Sequence, residues 1–196
     1  MLLSRIDALY CKHTTPRFCQ GDILRDISTV VWAKETEGGS GVEIEERKLP
    51  YAVVLTQDCD LEQDYASRSD LTLPNHDKYL QSILICPAYQ AAQLRKGTHL
   101  ESLGLRMQNI SSDPWRQVPQ NNNYRYHYLE EYLDFQIPDL VIDFKHYLTI
   151  PREILYSLDR KIHYLGALSE LFREDLSIRY SQYLSRIGLP NLKKTT

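Results

Sequence analysis

The chain has 196 residues, with 26 acidic against 23 basic side chains and a formal net charge of -3. That length suffices to bury a core as one domain spanning residues 1–196, and the charge leaves no overall positive field to draw the protein onto duplex nucleic acid or an anionic bilayer. The longest apolar run, residues 49–56, is too short to cross a membrane, and Arg5 and Asp7 interrupt the segment where a signal core would lie, so a cytoplasmic protein without membrane attachment is expected.

Four cysteines without regular spacing argue for reduced thiols rather than a disulfide framework. Fourteen tyrosines against four phenylalanines supply rings whose hydroxyls need a partner or water, a composition suited to half-buried strands and interfaces.

In chain order, residues 2–10 are compatible with a short helix. Residues 18–26 and 29–35 read as two strands rich in Val, Ile, Leu and Trp, followed by the hairpin tip TEGGSG at 36–41. Residues 43–48 alternate Glu and Arg as a solvated edge would, and Pro50 separates them from a buried strand at 51–56. Asp60 followed by Gln63 gives a capping-box pattern that starts a helix over 61–67. Another apolar strand covers 79–86 and ends at Pro87, and YQAAQLRKG is a helix stopped by Gly97.

The segment SSDPWRQVPQNNN, residues 111–123, reads as a long polar loop carrying Trp115 and Arg116 as candidate partner contacts. Two strand-like stretches follow, YRYHYLEEY and LVIDFKHYLTI. Residues 169–188 form the clearest helix: Phe172, Leu176, Tyr180, Tyr183, Leu184 and Ile187 share one face, with Ser169 at the N-cap and Gly188 and Pro190 beyond the end. The order of elements predicts an α+β fold, a small and strongly curved, mainly antiparallel sheet with appended strands and a long C-terminal amphipathic helix.

The most unusual stretch is YAVVLTQDCDLEQDY, where a strand ends in a thiol between two carboxylates. A helix N-terminus lowers the pKa of Cys59 while Asp58 and Asp60 raise it. A hydrolase would need a base, and His146 with Asp143 as orienter is the available pair, though on an extended strand residues 143 and 146 face opposite ways. A buried structural thiol with Asp60 as helix cap is the expectation. The acidic run DCDLEQD lacks the Gly and the distal Glu of a calcium loop. Cys11, His13 and Cys19 offer soft ligands at unconventional spacing and do not complete a shell, so no stoichiometric metal and no cofactor is expected.

Tyr124, Tyr126 and Tyr128 alternate with Arg125 and His127, which would put three rings on one strand face as a single-stranded RNA platform requires. Half-buried packing explains the same pattern, and Glu130, Glu131 and Asp134 follow closely enough to repel phosphates. No phosphate loop, dinucleotide fingerprint, zinc-protease helix, nucleophile elbow or paired CxxC is present.

The succession of GDIL (21–24), a charged hairpin, RKLPYAVVLT and SILICP (82–87) resembles the core of the MazF/PemK-like toxins. The resemblance implies an SH3-like barrel over about residues 18–88, with an appended α/β half-domain over about 89–196 that resembles segments of uncharacterised prokaryotic proteins. It also implies an RNA-cleaving site in which Arg47 or Lys48 neutralises the phosphate and Thr56 supplies the strand-terminal hydroxyl, but Leu49 occupies the position of the family's Arg and Cys86-Pro87-Ala88 lacks its later Thr. The expected function is a non-catalytic binding or accessory protein of a prokaryotic multi-gene system, of the defence or toxin–antitoxin type, with a protein partner. RNA is a disfavoured ligand, and the alternatives are a MazF-like ribonuclease or a Cys59-dependent hydrolase.

Overall fold

The structure is a computed structural model that describes residues 8–36, 41–70, 72, 74 and 76–186. In chain order the strands are β1 (Tyr10–Cys11), β2 (Asp22–Glu35), β3 (Val42–Val54), β4 (Ser82–Gln90), β5 (Tyr126–Leu129), β6 (Leu140–Asp143), β7 (Leu148–Pro151) and β8 (Tyr164–Leu168). The helices are α1 (Asp58–Ser69), α2 (Ala91–Lys96), α3 (Ser112–Arg116), α4 (Arg152–Tyr156), α5 (Arg160–His163) and α6 (Glu170–Leu184). The fold is α+β, as its element order predicts. All eight strands join one strongly curved antiparallel sheet in the order β1-β8-β2-β3-β4-β6-β5, with β7 added along β4.

The unbroken apolar runs arise because the sheet is covered on both faces. On one face Ile23, Val53, Cys86, Ala88 and Ile142 pack with Phe144 and with Leu176 of α6. On the other Leu24, Ala52, Val54, Ile83 and Ile85 pack against Leu61 of α1 and Leu155 of α4. Successive residues of one strand thus feed different cores, the alternation an extended backbone imposes. A third cluster gathers Tyr89, Leu94, Leu100, Val118 and Val141 beneath α2 and the loops that follow it.

Two prolines do not break strands as expected. Pro50 lies inside β3, which runs unbroken from the hairpin to the core, and β2 is likewise one strand rather than two. Opposite Pro50, between the pairs Arg25↔Tyr51 and Ile27↔Leu49, stands Asp26 at φ 54°, so the ladder bends where Pro has no N–H to give. Pro87 lies inside β4, where the outer neighbour changes from β7 to β6 and no donor is required of it.

Other elements also shift. The part of the expected N-terminal helix at residues 2–7 lies outside the described residues, and its end is strand, Tyr10 pairing with Leu168. Residues 111–123 are not one long loop but α3 followed by tight turns, pinned because Trp115 joins the third cluster and lies 5.6 Å from the Arg95 guanidinium. Helix α6 is present and buries Leu176 wholly, with Phe172, Tyr180 and Tyr183 half-buried on the same face. Burial of that leucine stabilises by about 1.5–3 kcal/mol. Leu184 points to solvent instead of inward, Ser169 makes no side-chain cap, and Ile187, Gly188 and Pro190 lie outside the described residues.

Candidate functional site

Among the described residues the structure brings no histidine to Cys59. Helix α1 begins at Asp58, three residues earlier than the capping pattern indicates, with Gln57 at the N-cap position, so Asp60 sits in the first turn and caps nothing. Cys59 is exposed rather than buried, and its sulfur lies nearest Gln57 Oε1 at 3.7 Å and Asp60 Oδ1 at 3.8 Å, without a histidine. Asp58 instead takes a bidentate ion pair from Arg17 at 3.0 and 2.9 Å and the Gln20 N–H at 3.1 Å, and the Arg17 hydrogen bonds hold its carboxyl below the usual range. Thr56 is also committed, its Oγ1 accepting the Leu84 N–H at 2.7 Å.

The three tyrosines do not line up on one open strand face. Strand β5 starts only at Tyr126, leaving Tyr124 exposed before it. Tyr126 and Tyr128 do share a face, but they pack against the third cluster and Tyr128 donates to Asp139 at 2.6 Å. Arg125 is bound to buried Asp143 at 2.7 and 2.5 Å, and His127 is buried and pushed down to about 3 by desolvation. Arg125 is already paired and His127 is neutral, so neither offers a free charge to a phosphate. Arg116 is exposed, 3.7 Å from Asp113.

Asp143 and His146 do meet, contrary to the extended-strand expectation. Strand β6 ends at Asp143, and residues Phe144–His146 form a 3-10 turn started by the Asp143 carboxylate, which accepts the Lys145 N–H at 3.1 Å. That turn brings His146 Nδ1 to 3.4 Å from Asp143 Oδ2 and 3.4 Å from Tyr89 OH. A carboxylate can only accept here, so the tautomer that avoids facing lone pairs carries its proton on Nδ1 and leaves Nε2 basic. Burial lowers the His146 pKa, against the opposing pull of Asp143.

Tyr89 continues the chain to His99, the two rings lying 4.8 Å apart. His99 stands on the loop after α2, a loop fixed by Gly97, whose φ of 74° and contact with the Met107 carbonyl leave no room for a side chain. Both ring nitrogens of His99 are buried without a hydrogen bond, the Gln93 carbonyl being only loosely placed toward the ring, and burial lowers its pKa.

Of these residues Tyr89 and His99 line a cavity of about 650 Å3, which His146 and Asp143 do not reach, with Arg47 and Lys48 of β3 and Ser28, Asp26, Gln93 and Thr98 also on its walls. Arg47 is half-buried and its Nε has no acceptor. The cavity therefore combines an unpaired guanidinium donor with the neutral imidazole of His99. Arg47 and Lys48, to which the toxin resemblance points, both line the cavity, whereas His99 and Tyr89 carry no sequence signal and are assembled only by the fold. Thr56 follows the C-terminal end of β3, nine residues after Arg47 or about 30 Å at strand rise, and is not on the cavity wall, so the hydroxyl and the cation do not share a site.

Of the three soft ligands near the N-terminus, His13 and Cys19 come together with Asp22, while exposed Cys11 directs its sulfur to the Leu168 carbonyl at 3.8 Å. Among the described residues no helix is long and apolar enough to cross a membrane. Compared with known proteins, the chain matches no protein-family model and no curated protein.

Proposed function

We propose that the protein is a non-catalytic binding module whose cavity takes a small phosphomonoester, and that it serves as an accessory component of a prokaryotic multi-gene system of the defence or toxin–antitoxin type. The observation that carries the ligand is Arg47 Nε, a buried donor without an acceptor on a cavity wall. A desolvated guanidinium N–H left unpaired is costly, and an anion that accepts from it removes that cost. Lys48 adds charge, Ser28 and Thr98 add hydroxyls, and the cavity volume lies within the range of small-ligand sites.

A protein partner is supported by the β2–β3 ribbon, which continues past the strands that flank it at the core and exposes Val30, Trp32, Val42 and Ile44. The reading of β2 to β4 as an SH3-like barrel belongs to the same proposal, supported by their consecutive antiparallel pairing after Gly21 at φ 82°.

The test is binding of inorganic phosphate and of a nucleoside monophosphate to wild type and Arg47→Ala, by calorimetry and thermal unfolding. Ligand at about 100 times Kd is expected to add about 2.7 kcal/mol to wild-type stability and far less to the variant. If neither ligand stabilises the wild type, the assignment fails. The ribonuclease reading draws on one observation, the neutral imidazole of His99 on the same cavity wall as Arg47, a candidate general base. Cleavage of mixed-sequence RNA that is lost in Arg47→Ala or Lys48→Ala would replace the binding module with that enzyme.

A further inference from the structure

Residues 12–21 connect β1 to β2 and fold back on the start of β2. Gly21, at φ 82°, makes the turn that lets the Asp22 N–H donate to the Cys19 carbonyl at 3.1 Å while the Cys19 N–H donates to Asp22 Oδ2 at 2.9 Å. The same turn sets His13 Nε2 2.7 Å from Asp22 Oδ1. As a result the Nε2 or Nδ1 of His13, the Cys19 sulfur and an Asp22 carboxylate oxygen lie within 4.8 Å of one another.

We propose that His13, Cys19 and Asp22 form a binding site for a zinc-class divalent transition-metal ion. One imidazole, one thiolate and one carboxylate are a borderline-soft donor set that zinc accepts, and zinc bonds of about 2.0–2.3 Å imply donor separations of about 3.3–3.8 Å in a tetrahedral shell. A small rotation of the Cys19 side chain closes the remaining gap. Deprotonated Cys19 and Asp22 with neutral His13 balance the two charges of the ion, and binding releases the thiol proton to solvent.

The surroundings fit an outer shell. The Cys19 N–H already holds one carboxylate oxygen, Arg160 lies 4.0 Å from it, and the Tyr164 ring packs on His13 at 5.2 Å. Asp22 is wholly inaccessible and Cys19 is 6 % exposed, so two of the three donors are shielded from solvent. The His13 to Asp22 hydrogen bond alone accounts for two of the three groups and leaves the thiol without a role. The ion would fasten the segment carrying His13 to β2, with its fourth position left for water. Asp22 is the ligand that the grouping of Cys11, His13 and Cys19 omits.

The test uses the full chain, stripped with a chelator and titrated with Co2+ or Zn2+ alone. Expected are about one ion per chain, a thiolate-to-cobalt charge-transfer band lost in Cys19→Ser and kept in Cys11→Ser, and a higher melting temperature with zinc. His13→Gln and Asp22→Asn are expected to weaken affinity by at least the roughly 10–100-fold that loss of an outer partner costs. X-ray absorption of the zinc-loaded wild type needs no variant and is expected to show one sulfur with nitrogen and oxygen neighbours. No stoichiometric binding, a shell without sulfur or with two sulfurs, or a cobalt band that survives Cys19→Ser would overturn the proposal.

Discussion

Arg179 of the closing helix donates its Nε–H to Nδ1 of His127 on β5 at 3.0 Å. Its remaining donors go to backbone carbonyls, Tyr126 at 2.8 Å, Asn123 at 3.0 Å and Asn121. A guanidinium thus ties α6 to the edge of the sheet, and it can do so only while the imidazole is neutral.

That relationship sets a pH dependence. Burial, with Arg179 adding repulsion, pushes His127 down to about 3, whereas in the unfolded chain it titrates near its ordinary value of about 6.5. The contribution is complete above about pH 6.5 and is lost as pH falls toward 3, because the unfolded state binds the proton first. Urea unfolding is expected to show stability falling by about 1.4 kcal/mol per pH unit from this group, a slope removed in His127→Gln. An equal slope in the variant between pH 6 and 4 would reject it.

Asp143 is expected to matter far more than Asp60. Asp143 is wholly buried and holds Arg125 in two hydrogen bonds while facing His146, so Asp143→Ala strands a half-buried guanidinium and is expected to cost about 3–5 kcal/mol. Asp60 is exposed and caps nothing, so Asp60→Ala is expected to fall within about 0.5 kcal/mol. Equal losses in equilibrium unfolding would contradict the assignment of the ion pair.

The thiols are expected to divide two and two in the metal-free protein. Cys11 and Cys59 are exposed and should react with a disulfide reagent in the native state, whereas Cys19 and Cys86 are buried and should react only on unfolding. Cys59→Ser is expected to change stability by less than about 0.5 kcal/mol. Mass-mapped labelling that finds Cys59 protected would restore a buried role for it.

Gly97→Ala is expected to lower both stability and phosphomonoester affinity. The left-handed backbone and the approach of the Met107 carbonyl together imply a strain of about 1–3 kcal/mol, and relief of that strain displaces the loop that carries His99. Retained affinity with an unchanged melting temperature would show that the loop does not shape the cavity.

The sequence by itself determined the α+β class, the buried character of β4 and of the C-terminal end of β3, the Gly97 stop of α2 and the inward face of α6 through Phe172, Leu176, Tyr180 and Tyr183. Each of these follows from periodicity or from a local conformational limit, which operates within a few residues. Arg47 and Lys48 were also legible, through the toxin resemblance, although their cavity was not. Tertiary structure decided the rest because the outcome depended on partners distant in the chain. Pro50 and Pro87 look like strand ends locally, yet both are tolerated where the neighbouring strand leaves no donor to satisfy. Asp143 and His146 diverge on an ideal strand and meet only because a 3-10 turn begins between them. Tyr89 and His99 come from a strand and a loop with no shared motif, and the cavity exists because a sheet bent at Asp26 and Pro50 brings β3 against the loop after α2. Curvature of a sheet is a sum over many residue pairs, and no single stretch of sequence states it.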